Sequence, residues 1–155
     1  ASTRDPAAFG ERLHRFLSGL PRAAIYAVEL RDRELLGPET MRALAECGTR
    51  LCLSVHARMP PVQVQAAAAT SLGPGPLIVR WNLHAGFGYE EAKSRYAPFD
   101  RLVDEDPATR AEIAALCREC AERGDEAWVI ANNKAEGSAP LTLERLARAI
   151  VEGGD

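Results

Sequence analysis

The chain has 155 residues, of which 46% are hydrophobic and 26% are charged, a balance that is typical of a globular domain and excludes a disordered chain. The 19 basic and 22 acidic residues give a net charge of −3, which argues against a nucleic-acid partner. No apolar run approaches the roughly 20 residues of a membrane span. These properties predict a single domain over residues 1–155 with no membrane segment.

Helical and strand-like patterns alternate along the chain. In chain order, we predict a helix over 6–20, a strand over 24–30, a helix over 39–48, a strand over 50–57, a helix over 61–73, a strand over 77–83, a short helix over 89–97, a helix over 106–124, a strand over 126–133 and a helix over 139–154. The four strands are nearly continuous apolar runs, as is typical of parallel strands that are covered on both faces. The alternation predicts an α/β fold with a parallel sheet, either an open layer or a (β/α) barrel.

Polar residues collect at the carboxyl ends of these strands, where parallel α/β proteins place their sites. They are, in chain order, Glu29, Arg31, His56, Arg80, Asn82, His84, Asn132 and Asn133. Because side chains alternate between the two faces of a strand, Glu29 shares a face with Arg31. For the same reason, we expect at most one of the two adjacent asparagines to face the site.

Arg80 interrupts an apolar strand, so its guanidinium requires a carboxylate or an anionic ligand. We predict catalytic roles for Glu29, as general base or metal ligand, and for Arg31, which orients it. The predicted substrate-binding residues are Arg80, His84, Asn132 and Asn133. Two plainer alternatives stay open: Glu29 and Arg31 form a structural ion pair, and the asparagines cap the following loop.

The sequence offers two further candidates for ligand binding. Glu29, His56 and His84 have the ligand types that suit a divalent cation such as zinc, manganese or iron. The loop over residues 134–140 precedes a helix, and free backbone N–H groups at that helix start predict an anion site. The four cysteines indicate free thiols in a reducing cytoplasm rather than zinc ligands or disulfides.

Three segments, taken in order, resemble the YecE-like family, which is domain of unknown function 72. They are AVELRDRELLGPETMRAL (27–44), LIVRWNLHAGFGY (77–89) and WVIANNKAEGSAPLTLERL (128–146). The residues that match the family's E-x-R strand, its R-x-H-G motif and its paired asparagines are Glu29 and Arg31, Arg80 and His84, and Asn132 and Asn133. The resemblance covers about residues 9–150 and implies a (β/α) barrel, in a family whose activity is not established.

A full barrel has eight strands and typically about 250 residues, whereas this chain has four predicted strands. The resemblance therefore implies the carboxyl-terminal half of a longer TIM-like barrel. Half a barrel leaves open sheet edges and an uncovered apolar face. We expect this face to be covered by a missing amino-terminal half or by a second copy in a homodimer, and an open four-stranded sheet is the competing outcome.

Two functions fit these residues. One is a metal- or acid/base-dependent hydrolase or isomerase that acts on a phosphorylated or otherwise anionic small molecule. The alternative is a non-catalytic binding or interaction module, in which the strand-end residues form a structural polar network. The two differ in geometry: an enzyme leaves Glu29 free to act, whereas a structural network saturates it with Arg31 and Arg80.

Overall fold

Four parallel strands alternate with α-helices in the computed structural model, which describes residues 5–84 and 87–153. The helices are α1 (Pro6–Ser18), α2 (Pro38–Glu46), α3 (Val62–Ala68), α4 (Tyr89–Tyr96), α5 (Pro107–Glu122) and α6 (Ala139–Glu152). The strands are β1 (Ala27–Glu29), β2 (Arg50–Val55), β3 (Leu77–Trp81) and β4 (Ala127–Ala131). The predicted α/β fold is confirmed.

The order of the strands in the sheet is the order of the strands in the chain. β1 pairs with β2, β2 with β3 and β3 with β4, all in parallel. A doubly wound layer reverses its strand order near the middle, whereas a (β/α) barrel does not. The observed order is therefore that of part of a (β/α) barrel.

The elements are shorter than predicted in several places. Within the described ranges β1 is an edge strand that pairs with β2 alone, and its three residues, Ala27 to Glu29, pair with Arg50 to Cys52. The predicted helix over 61–73 divides into α3 and a 3₁₀ turn over Ala69–Leu72. Gly48 ends α2 as expected: it has φ +61°, a left-handed conformation that favours glycine after a helix. None of the helices in the described ranges has the length and hydropathy that crossing a membrane requires.

The main hydrophobic core lies on one face of the sheet, and a second, smaller cluster holds Leu83 with Ala92 and Tyr96 of α4. The strand residues in the main core include Val28, Leu51, Leu53, Val79, Trp81 and Val129. The opposite face carries the residues between them, and there Trp128 and Ile130 are 59% and 49% exposed. Parallel sheets are ordinarily covered on both faces, whereas the described helices leave this second face open, with apolar side chains exposed on β4.

Candidate functional site

The carboxylate of Glu29 connects the first three strands at their carboxyl ends. Its Oε1 accepts hydrogen bonds from Arg31 Nε at 3.0 Å, Ser54 Oγ at 3.1 Å and Asn82 Nδ2 at 2.9 Å. Its Oε2 accepts from Arg80 Nη1 at 2.6 Å. Asn82 Nδ2 also donates to Ser54 Oγ at 3.0 Å. The structure thus brings Glu29, Arg31 and Arg80 together as predicted, in one polar network on the open face of the sheet.

Ser54 belongs to this network because of the strand register, which aligns it with Arg80 on the neighbouring strand. It is fully buried. Its backbone N–H donates to Gln65 Oε1, and Gln65 Nε2 donates to the Ser54 carbonyl, both at 2.9 Å. Gln65 also donates to the Pro60 carbonyl at 2.7 Å. A buried amide on α3 therefore fixes the end of β2 beneath the site.

The surroundings of Glu29 keep it ionised. Burial alone would raise the pKa of Glu29, but hydrogen bonds from Arg31 and Ser54 and the charges of Arg31 and Arg80 together lower the pKa below its ordinary value. A carboxylate with four donors has little accepting capacity left for a reacting proton. Glu29 is therefore placed to hold the two arginines.

The lowered pKa of Glu29 makes its contribution to stability depend on pH. Since the folded-state pKa lies below the unfolded-state value of about 4.3, the network stabilises the fold above that value. The contribution is lost as the pH falls through the folded-state pKa. We expect Glu29→Gln to lower the free energy of unfolding at pH 7 by about 1–2 kcal/mol.

Urea unfolding at several pH values tests this expectation. The difference between Glu29→Gln and the wild type should shrink below the ordinary glutamate pKa, while the exposed Glu11→Gln serves as the control. A difference that stays constant into strong acid would show that the charge of Glu29 does not stabilise the fold.

The two arginines retain donors for a ligand. Arg31 uses Nε and Arg80 uses Nη1 to reach Glu29, and neither side chain donates another hydrogen bond to the described residues. Their side chains are 52% and 40% exposed. A guanidinium carries five N–H donors in a planar fork, so most donors of both groups remain open to solvent.

The histidines do not join Glu29 in a metal site. His56 Nδ1 accepts from the backbone N–H of Arg58 at 3.2 Å. Burial, with the charges of Arg31 and Arg58, lowers the pKa of His56. The His84 ring lies 5.3 Å from that of Phe87, centroid to centroid. Within the described ranges, no group of three or more His, Cys, Asp or Glu side chains is arranged to hold a metal ion. Glu29, His56 and His84, which are candidates by ligand type alone, are therefore not grouped as metal ligands in the described part of the chain.

The two asparagines after β4 have different roles. Asn132 Oδ1 accepts from the backbone N–H of Lys134 at 3.0 Å in an Asx turn. Asn133 Oδ1 accepts from the backbone N–H of Ala139 at 2.8 Å, at the first residue of α6. The adjacent Pro140 has no N–H. The backbone N–H of Ala139, which the predicted anion site in loop 134–140 would have used, is therefore already bound to Asn133.

Sequence reasoning missed a second polar group, at the far end of the same loop. Glu136 is fully buried, and its Oε1 accepts from Arg110 Nη2 and from the backbone N–H of Asp106, both at 2.6 Å. This ion pair joins the loop after β4 to the start of α5. The sequence shows Glu136 only as an acidic residue in a loop, and no local pattern indicates that this residue is buried.

Comparisons with known proteins agree with this architecture. The model of the family described as protein of unknown function DUF72 matches residues 2–154. The crystal structure of a DUF72 family protein from Enterococcus faecalis V583 is similar to this chain, with a TM-score of 0.58 and 16% sequence identity. The similarity covers 97% of this chain and 54% of the other, so the chain spans about half the length of that protein. None of the curated proteins compared with the chain matches it. Because the family model covers nearly all of its residues, the chain belongs to the DUF72 family.

Proposed function

We propose that the carboxyl edge of the sheet binds an anionic small molecule, such as a phosphorylated compound, through Arg31 and Arg80. The observation that carries this proposal is the pair of half-exposed guanidinium groups that share Glu29 as their anchor. A planar fork of N–H donors matches phosphate and carboxylate oxygens. Anchoring by Glu29 reduces the side-chain freedom that each arginine loses when a ligand binds.

The local charge supports an anionic ligand. The two guanidinium groups and the one carboxylate of the Glu29 network together carry a charge of +1, in a chain whose net charge is −3. His56 adds no positive charge at neutral pH, since the pKa of His56 is lowered from an ordinary value that already lies below 7. The arginines are therefore the source of the positive potential beside Glu29.

The state of Glu29 supports a positioning role more than a role as general base. A general base requires an available lone pair and a pKa near the working pH, whereas Glu29 has four donors and a lowered pKa. The predicted roles thus shift: Arg31 and Arg80 contact the ligand, and Glu29 orients them. Hydrolase or isomerase chemistry on the bound anion stays a prediction.

Isothermal titration calorimetry with inorganic phosphate and a simple phosphate ester tests the proposal. We expect Arg80→Met to weaken binding at least tenfold, which corresponds to about 1.4 kcal/mol. Arg31→Met should act in the same direction. Arg42→Met, which removes an exposed arginine on α2, is the matched control and should bind like the wild type.

Urea unfolding of each variant separates a local loss of binding from a loss of fold. A folded Arg80→Met variant that binds phosphate as tightly as Arg42→Met would contradict the proposal. The absence of phosphate binding by the wild type would also contradict it.

A further inference from the structure

A third cation lies at the same edge of the sheet. Lys134 is one of only two lysines in the sequence, the other being Lys93. Its Nζ lies 4.3 Å from the centroid of the Tyr89 ring and 6.0 Å from that of Phe99. It is also 3.4 Å from Asn132 Oδ1. The ammonium group is thus held between two aromatic rings and a neutral amide.

Backbone hydrogen bonds connect this position to the Glu29 network. The Asn132 N–H donates to the Trp81 carbonyl at 2.8 Å, and the His84 N–H donates to the Lys134 carbonyl at 3.0 Å. The ends of β3 and β4 therefore remain side by side beyond the ladder. Because Arg80 pairs with Ile130, Asn132 continues the face on which Asn82 contacts Glu29. Adjacent strands are about 4.8 Å apart, so the backbone of Asn132, whose side chain accepts from Lys134 Nζ, lies about one strand spacing from that of Asn82.

Lys134 makes no ion pair with a carboxylate among the residues that the structure describes. Two carboxylates of the loops after α4 and β4 pair with arginines instead: Asp104 accepts from Arg95, and Glu136 accepts from Arg110. An aromatic face stabilises an ammonium group but does not neutralise it. Lys134 therefore has N–H donors at the edge of the sheet that no described carboxylate accepts.

We propose that Lys134 is a second anion-binding position of the same site. The ligand would then carry two anionic groups, as a bisphosphate or a phosphorylated carboxylic acid does. One group would contact Arg31 and Arg80, and the other would contact Lys134 beside the half-exposed Tyr89 ring. This inference rests on the proposed function, because it assigns the substrate class of that site.

Calorimetry with two probes, inorganic phosphate and butane-1,4-diol bisphosphate, tests the inference. We expect the wild type to bind the bisphosphate at least tenfold more tightly than phosphate. Lys134→Met should remove this preference while phosphate binding changes less than twofold. Lys93→Met removes the other lysine, which is exposed on α4, and should keep the preference.

A conservative variant guards against a change in folding. Lys134→Arg keeps a positive charge and should retain a preference of at least threefold, with urea unfolding measured for each variant. Two results would contradict the assignment of Lys134 without contradicting the proposed function. In the first, Lys134→Met keeps the full preference for the bisphosphate. In the second, the wild type shows no preference for the bisphosphate, although Arg80→Met weakens phosphate binding. If the wild type binds neither probe, both proposals are wrong.

Discussion

Replacing Glu136 by alanine is expected to lower the free energy of unfolding by about 3–5 kcal/mol, because it removes the buried partner of a buried charge and leaves Arg110 only the half-exposed Glu105. Arg110 is only 11% exposed, and its Nη2 donates to Glu136 at 2.6 Å. The backbone N–H of Asp106, at the start of α5, would lose its acceptor as well. Both lost hydrogen bonds lie at the same buried position, where water has little access to replace them.

Chemical unfolding followed by circular dichroism measures this effect, and the chain offers a matched control. Glu105 accepts from the same Nη2 of Arg110 at 3.0 Å, but its side chain is 47% exposed. Exposed ion pairs contribute at most about 1 kcal/mol, so Glu105→Ala should have a small effect. Equal losses in the two variants would mean that burial of the Glu136 carboxylate is not what stabilises this region.

Replacing Gly137 by alanine is expected to destabilise the fold by about 2–5 kcal/mol, combining backbone strain with a steric clash. Gly137 has φ +121°, which side-chain-bearing residues rarely adopt. An added Cβ would lie 2.5 Å from the Arg101 carbonyl oxygen and 2.9 Å from the Val103 nitrogen. Both are backbone atoms, so relief requires the segment over 101–103 to move away from the loop.

Thermal unfolding provides the measurement, with a fall in Tm of more than about 5 °C expected for a chain of this size. Gly48→Ala is the control, since Gly48 also has a positive φ, +61°, but nothing lies within 4 Å of an added Cβ. We expect Gly48→Ala to cost about 1–2 kcal/mol, the penalty of a left-handed conformation alone. If the two variants lower the Tm by the same amount, the steric clash at Gly137 adds nothing to the cost of a positive φ.

The architecture could be predicted because its signals are local. Apolar strand runs and helical periodicity lie within single segments, and their alternation allows few topologies. The sequence predicts that Arg80 needs a carboxylate or an anion, since a charge within an apolar strand needs a partner. In the structure that partner is Glu29.

Other features of the site depend on register and loop paths, which no single segment encodes. Ser54 looks like an ordinary strand residue until the pairing of β2 with β3 aligns it with Arg80. His56 was a reasonable metal ligand by type, but its ring accepts a hydrogen bond from the adjacent loop. Asn133 caps α6 because the loop returns to it six residues later. Burial of Glu136 likewise depends on how distant segments pack.

Because one face of the sheet is open, the two tryptophans of the chain lie in opposite surroundings. Trp81 is fully buried against the helices, whereas Trp128 is 59% exposed on the other side of the sheet. Further β/α units or a second copy, the two coverings predicted for this face, would enclose Trp128 and leave Trp81 unchanged. The fluorescence of Trp128 therefore reports whether this face is covered. A water-soluble quencher should quench Trp128 but not Trp81 if the sheet is open, and neither tryptophan if the face is covered.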